Sequence, residues 1–480
     1  MADINLGVGG ANSAVAGGYE IANSLKLEAD NAEYLYYTPS TQTDYQRMAF
    51  SIWVKRTELG DGNLAEFGNG TSNTSNLRIG FDSSDRLFCY GNSIIFRQTN
   101  QVFRDTSAWY HLFFQFDTTQ STANDRIKIW VNGSMIAHTD FEVINNPGSG
   151  AAMGFNNGLQ QSIGAQREGG PVNYFKGYIA QVYGSGGTPP VVTDFGEVDE
   201  NTGIWKPIDI SELTPPDTQG FNLDFSDAGN LGNDISSRNN DFTLQNITSA
   251  DQATDTPTNN FCTWNPLQTG WNTNYGTGQV IVEGATEAYA STNYAAIEGS
   301  MAVQSGKWYW ESKPNRTGGI MVGVAALNGI RWAGDTAYWS LGMNAQGIGT
   351  ILGNFYYNGT STSTDATDWT NGDIVSIALD MDNYKIYMAV NGSWGGTSNP
   401  ATGTGGYDFS SASNFTSNFV VPAGRIETAN SSYVIETNFG GYTTMSIASG
   451  NSDSSGYGNF EYAPPSGYYA LCTKNLEEFG

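Results

Sequence analysis

At 480 residues the chain is too long for one ordinary hydrophobic core and fits two or three domains. Charged residues reach only 14%, against 59 glycines and 13% aromatics, so the surface must be built from Asn, Ser, Thr and Gly, as in turn-rich all-β proteins. Acids outnumber bases 47 to 21 for a formal net charge of −26, and no Lys/Arg cluster occurs, which excludes the basic footprint that a nucleic-acid partner requires.

Residues 1–24 are small, Gly/Ala-rich and without period, the composition of a flexible or docking arm; disorder and docking both remain open. The start lacks the basic and continuous apolar segments of a signal peptide, and no run is apolar enough to span a bilayer, so the expectation is synthesis in a cytoplasm and no membrane insertion. From Leu25 the pattern turns to β. SLKLEADNAEYLYYTP alternates, turns and alternates again, and AFSIWVKRT, NLRIGFD, RLFCYG and IIFRQT follow between Gly, Asn, Asp and Ser clusters.

In the stretch from Trp109 to Met135, Tyr110, Leu112, Phe114 and Phe116 form an apolar row that closes on Asp117, and Ile127, Ile129 and Val131 lead into Asn132-Gly133. Asn-Gly accepts positive φ at both central positions of a tight hairpin turn. KGYIAQVYG closes this first β-sandwich, residues 25–187.

Residues 188–280 read as a connector. It is broken by Pro189-Pro190 and Pro215-Pro216 and carries short strand-like pieces, GFNLDFSD and DFTLQNI, around an Asn/Asp-rich loop. Asp224, Asp227, Asn230, Asn233, Asp234 and Asp241 are candidate calcium ligands, with ordinary Asx turns as the alternative, because their spacing departs from the D-x-[DN]-x-[DN]-G loop. A second sandwich, residues 281–445, is expected from GKWYWESK, GIMVGVAAL, YWSLGM, IGTILGNFYYNGT, a meander and SYVIETNFGG. In the meander Val375, Ile377 and Leu379, then Ile386, Met388 and Val390, alternate with other residues up to Asn391-Gly392. Residues 446–480 form a proline-pinned tail, and no convincing helix is predicted.

These residues resemble known families. FSIWVKR, WYHLFFQFDT, RIKIWVNG and KGYIAQVYG make the first section similar to concanavalin A-like, laminin G-type sandwiches. GKWYWE, the VGVA strand, the meander and ETNFG make the later section similar to a SPRY domain. FGEVDENTGIW, LDFSD and DTPTNNFCTWNPL resemble a segment that follows such sandwiches in structural proteins of tailed phages, and PPSGYYALCTKNL resembles the tail that closes those chains. The resemblance implies a virion surface component, a tail or head fibre or a decoration protein, and an oligomer, a trimer by analogy with fibres.

Motifs for catalysis are few. Glu28, Asp30 and Glu33 match the E-x-D-x-x-E letters of glycoside hydrolases, but Asp30-Asn31 is turn chemistry, which predicts acids splayed on a solvated hairpin tip. His111 sits among strand aromatics and reads as a half-buried packing residue; His138 is the other imidazole. Cys89, Cys262 and Cys472 are far apart and read as buried free thiols, without disulfide or structural zinc. What remains is recognition without catalysis. Arg331, Trp332, Tyr338, Trp339 and Trp394 are candidate ligand contacts, because aromatic faces in Gly-rich loops stack on sugar rings. The expectation is a phage surface protein that binds a host-surface glycan or receptor and attaches to other virion proteins through residues 1–24. The alternatives are a purely structural capsid or tail protein and a polysaccharide depolymerase.

Overall fold

The computed structural model describes residues 18–41, 43–68, 76–155, 158–167, 170–267, 278–293, 295–316, 318–327, 347–351, 353–357, 360–361 and 367–480. The fold is all-β, and the chain divides into two compact units at residue 258. Among the described residues no helix is long and apolar enough to cross a membrane.

The first unit is a sandwich of two antiparallel sheets. One runs in the order Ser134–Met135, Ile127–Val131, Trp109–Asp117, Arg47–Arg56, Gly177–Gly186, Ser24–Leu27, Gln252–Ala253, with Phe221–Leu223 also paired to Gly177–Gly186. The other runs Phe141–Ile144, Ile94–Val102, Arg86–Gly91, Leu77–Phe81, Gly62–Phe67, Gln161–Ile163, Tyr34–Tyr37, Thr243–Gln245. The predicted row of Leu112, Phe114 and Phe116 is buried between the sheets, with Phe50, Ile52, Leu35, Ile79 and Ile163. Period-two alternation thus puts one face of each strand into a common apolar core. Asn132 and Gly133 take φ of 47° and 75°, the paired positive values that the tight turn needs.

Residues 188–258 do more than connect. Phe221–Leu223 and Gln252–Ala253 extend the first sheet and Thr243–Gln245 edges the second, while Phe221, Leu223, Phe225, Leu231, Phe242 and Ile247 enter the core. Gly177–Gly186 is therefore not the last strand of this unit. A separate short ribbon, Gly196–Val198 with Trp205–Pro207, lies in a segment whose Phe195 and Ile210 pack on Ala49, Phe113 and Tyr183, the outer side of the first sheet.

The second unit is also a pair of sheets. One runs Gln279–Val282, Glu287–Ala290, Asn430–Asn438, Lys307–Pro314, Val375–Asp380, Lys385–Val390, Ser393–Trp394, with Tyr407–Asp408 beside Lys385–Val390 and Tyr469–Ala470 parallel to Lys307–Pro314. The other runs Ala295–Glu298, Val420–Ile426, Ile320–Ala326, Gly347–Ile351, Asn354–Tyr357, Thr360–Ser361. Val375, Ile377, Leu379, Ile386 and Met388 fill the core as the meander predicts. The opposite face of these strands is buried as well: Tyr309, Ala378 and Tyr387 are covered by Phe460 and Tyr468 of the C-terminal segment. That segment ends in a helix, Thr473–Phe479, which the sequence pattern did not predict. The YWSLGM strand lies outside the described residues.

Candidate functional site

In the second sheet of the first unit, strand register sorts side chains into two neighbouring rows. Leu244, Leu35, Ile163, Ala65, Ile79 and Cys89 stand opposite one another across successive strands and carry the core side. One residue along, Thr243, Tyr36, Ser162, Glu66, Arg78 and Tyr90 stand in a line on the outer side. A single strand, YLYY, thus sends Leu35 inward while Tyr34 and Tyr36 share the outer face with ring centroids 5.9 Å apart.

Arg167 completes this face. Its guanidinium carbon lies 5.0 Å from the Tyr34 ring centre and 5.9 Å from that of Tyr36, its Nη1 donates to the Tyr34 hydroxyl at 2.6 Å, and its Nε donates to Gln160 Oε1 at 3.0 Å. The Arg167 main-chain N–H donates to Glu66, whose other oxygen accepts from Asn76 Nδ2 at 3.2 Å. Tyr174 is half-buried, 6.1 Å from Tyr34 between ring centres, and its hydroxyl donates to the Pro171 carbonyl at 3.1 Å. Burial raises the Tyr34 hydroxyl above its ordinary pKa, while the neighbouring Arg167 charge pulls the other way, so the phenol stays protonated at neutral pH. Further along the row the Arg78 guanidinium lies 4.0 Å over the Tyr90 ring. Tyr36 and Tyr90 are both half-buried. Tyrosine faces backed by fixed guanidinium groups present flat apolar area beside hydrogen-bond donors, the pairing that a sugar ring with its C–H face and hydroxyl rim requires.

The residues singled out in the sequence lie elsewhere. Arg331, Trp332, Tyr338 and Trp339 fall outside the described residues. Trp394 is half-buried on the short strand Ser393–Trp394 and packs against the cluster of Tyr309, Tyr387, Phe460 and Tyr468, so at least part of its ring is committed to packing. Asp224, Asp227, Asp234 and Asp241 each accept main-chain N–H groups: Ser226 and Gly229 in short turns, Asn222, Ser236 and Asn240 on Asp234, and Asp234 itself on Asp241. Among the described residues no His, Cys, Asp or Glu group gathers as metal ligands.

The acids of the E-x-D-x-x-E stretch are not on a solvated hairpin. Ser24–Leu27 and Tyr34–Tyr37 belong to opposite sheets, so residues 28–33 arch between layers, and Glu28 and Glu33 are buried. Lys26 Nζ is shared between Glu33, at 3.0 and 3.1 Å, and Asp251, at 2.8 Å. Glu33 also accepts the Glu28 main-chain N–H at 2.7 Å and Asn31 Nδ2 at 3.0 Å. Burial pushes Glu33 up to about 7, against the pull of Lys26.

His111 is fully buried rather than half-buried. Its Nδ1 accepts from the Trp205 indole at 3.0 Å, and since indole is a donor only, the ring proton sits on Nε2 and is donated to Ser51 Oγ at 2.9 Å. Burial lowers its pKa to about 3, so the ring stays neutral and structural. Cys89, Cys262 and Cys472 are buried free thiols, as read from their spacing.

Tyr34, Tyr36, Arg167 and Tyr174 were not singled out by the sequence, because an all-aromatic and leucine strand offers no polar contrast from which to assign its faces. The signal lay in the i, i+2 tyrosines once Leu35 is known to point inward.

No curated protein matches the sequence. Solved structures with local similarity include the SPRY domain of human HERC1 (17% identity, TM-score 0.26, covering 33% of this chain and 91% of that one). A Bacteroides ovatus protein provisionally named a carbohydrate binding protein is another (14%, 0.25, 35% and 44%), as is stonustoxin (18%, 0.27, 37% and 27%). The chain thus matches less than half the length of the latter two, and no functional reading rests on these likenesses. Residues 30–184, which carry the tyrosine and arginine face, are similar to the family described as the Concanavalin A-like lectin/glucanases superfamily.

Proposed function

We propose that the chain is a non-enzymatic surface protein of a phage particle, a fibre, spike or decoration, that binds a host-surface glycan on the outer face of the second sheet of its first unit. The observation that carries the binding site is the cluster of Tyr34, Tyr36 and Tyr174 with Arg167 fixed against their rings. The similarity of residues 30–184 to a superfamily of lectins and glucanases supports a saccharide as the ligand class. The phage setting is supported by the resemblance of the residues 188–280 and C-terminal motifs to phage structural proteins. Binding without turnover is the preferred reading because Glu28 and Glu33 sit buried, with Glu33 engaged by Lys26.

A glycan array with the purified protein tests this. Binding is expected, with Tyr36→Ala or Tyr174→Ala weakening it about fivefold or more, since loss of one aromatic stacking surface is worth roughly 1–3 kcal/mol. Retained affinity in both variants would remove the face from the binding site. Release of reducing ends from a bound polysaccharide would favour the depolymerase reading, and binding to no glycan would favour the structural one. The same particle role implies a homo-oligomer, a trimer, attached through residues 1–24; light scattering and a deletion of that arm check those two points.

A further inference from the structure

We propose that Asn371 is a site of spontaneous deamidation that the fold leaves open, while Asn132 and Asn391, in identical Asn-Gly pairs, are held unreactive. The reaction needs no enzyme. The main-chain nitrogen of the following residue, after losing its proton to hydroxide, bonds to the asparagine Cγ. The bond from Cγ to the side-chain nitrogen breaks and ammonia departs, leaving a five-membered succinimide. Water then opens the ring at either carbonyl, giving aspartate or its β-linked isomer. Glycine in the following position favours ring closure because no Cβ crowds the attacking nitrogen.

The three described Asn-Gly pairs differ in how their side chains are held; Asn69, Asn157, Asn328 and Asn358 of the remaining pairs lie outside the described residues. Asn132 Oδ1 accepts the His111 main-chain N–H at 2.8 Å, and its own N–H donates to the His111 carbonyl at 2.9 Å. Asn391 repeats this with Ile374, at 3.0 and 2.9 Å, and in addition donates from Nδ2 to Asp373 Oδ1 at 2.7 Å. In both, Cγ reaches the glycine nitrogen only if the side chain abandons a bond that closes the neighbouring strand end.

Among the described residues Asn371 has no such tether. It is exposed, and among the described residues its side chain makes no hydrogen bond. The turn around it is closed by its neighbours instead: Asp373 accepts the Thr370 N–H at 2.7 Å and the Thr370 hydroxyl at 2.9 Å. Gly372 sits at φ 89° with open space around the position of a side chain, so the ring has room to form. Among the described residues, the one restraint on the attacking nitrogen is a long contact, 3.4 Å, to the Pro314 carbonyl. The product places a new carboxylate beside Asp373, the group that holds both Thr370 and Asn391.

The test is to incubate the intact protein at mildly alkaline pH, digest it and follow the three peptides by mass, with isoaspartate detected separately. The Asn371 peptide is expected to convert roughly fivefold or more faster than the other two, the factor that one net hydrogen bond of restraint supplies. In urea all three are expected to convert at comparable rates, which assigns the difference to the fold. An Asn371→Gln variant should lose the fast signal and leave the other two peptides unchanged. Conversion of Asn132 or Asn391 in the folded protein as fast as Asn371 would overturn the proposal.

Discussion

Lys26 is the residue on which the arch between the two sheets of the first unit depends. One buried ammonium serves two buried acids, Glu33 and Asp251, and Glu33 gives up its proton only at higher pH because burial, with the Asp251 charge nearby, outweighs the pull of Lys26. Replacing Lys26 with Met strands both carboxylates in the interior, and breaking a buried pair in this way costs on the order of 3–5 kcal/mol. Urea denaturation should show that loss at about pH 8 and a smaller one at about pH 5, because an acid whose pKa is raised by folding gains relative stability as it protonates. Glu33→Gln leaves Lys26 paired with Asp251 and should cost much less. His111 titrates with the opposite consequence. Its folded pKa of about 3 lies below its ordinary 6.5, so the unfolded chain takes up the proton first. Stability is unaffected above about pH 6.5 and falls by up to about 1.4 kcal/mol per pH unit towards pH 3. Protonation would also remove the lone pair that accepts the Trp205 indole. Unfolding midpoints against pH should show this slope in the parent protein and lose it in His111→Gln.

At the scale of elements, the hairpin turn at Asn132-Gly133 is pinned from outside by Trp205. A Cβ on Gly133 would fall 2.2 Å from the Trp205 ring, whereas one on Gly403, at a similar φ of 72°, would meet nothing within 4 Å. Gly403→Ala should therefore cost only backbone strain, about 1–2 kcal/mol, and Gly133→Ala distinctly more, read as thermal unfolding shifts. The strands that position this turn were legible from period-two alternation: Trp109–Asp117, Ile127–Val131, Val375–Asp380 and Lys385–Val390 all form where Tyr110 to Phe116 and Val375 to Val390 alternate. Less legible were elements whose partners are remote. Phe221–Leu223 is three residues long and exists because it pairs with Gly177–Gly186; no local pattern announces that pairing. The arch of residues 28–33 was misread for the same reason, since turn chemistry at Asp30-Asn31 does not say whether the flanking strands share a sheet. The outer face carrying Tyr34, Tyr36 and Arg167 needed the strand Tyr34–Tyr37 and the loop after Gln161–Ile163 to be placed beside each other before its residues met. The helix Thr473–Phe479 is too short for a hydrophobic period to emerge.

For the whole molecule, the division at residue 258 yields a direct prediction. A fragment of residues 18–258 should fold alone with cooperative unfolding. A fragment ending at residue 187, where the first run of strand-like sequence stops, lacks Phe221, Leu223, Phe225, Leu231, Phe242 and Ile247 and should be aggregated or molten by near-ultraviolet circular dichroism. Cooperative folding of the shorter fragment would mean that the later strands only decorate a finished sandwich.

The pairing of Ser24–Leu27 with Gln252–Ala253 ties the earliest described strand of this unit to its last. On the ribosome, the edge of Ser24–Leu27 stays open until more than two hundred further residues have been translated and cleared the exit tunnel. For that interval the nascent chain carries an unzipped β edge in a crowded cell, where chaperone capture and neighbouring copies compete for it. Slowing translation between residues 188 and 258 should therefore lower the soluble yield more than slowing it by the same amount after residue 258.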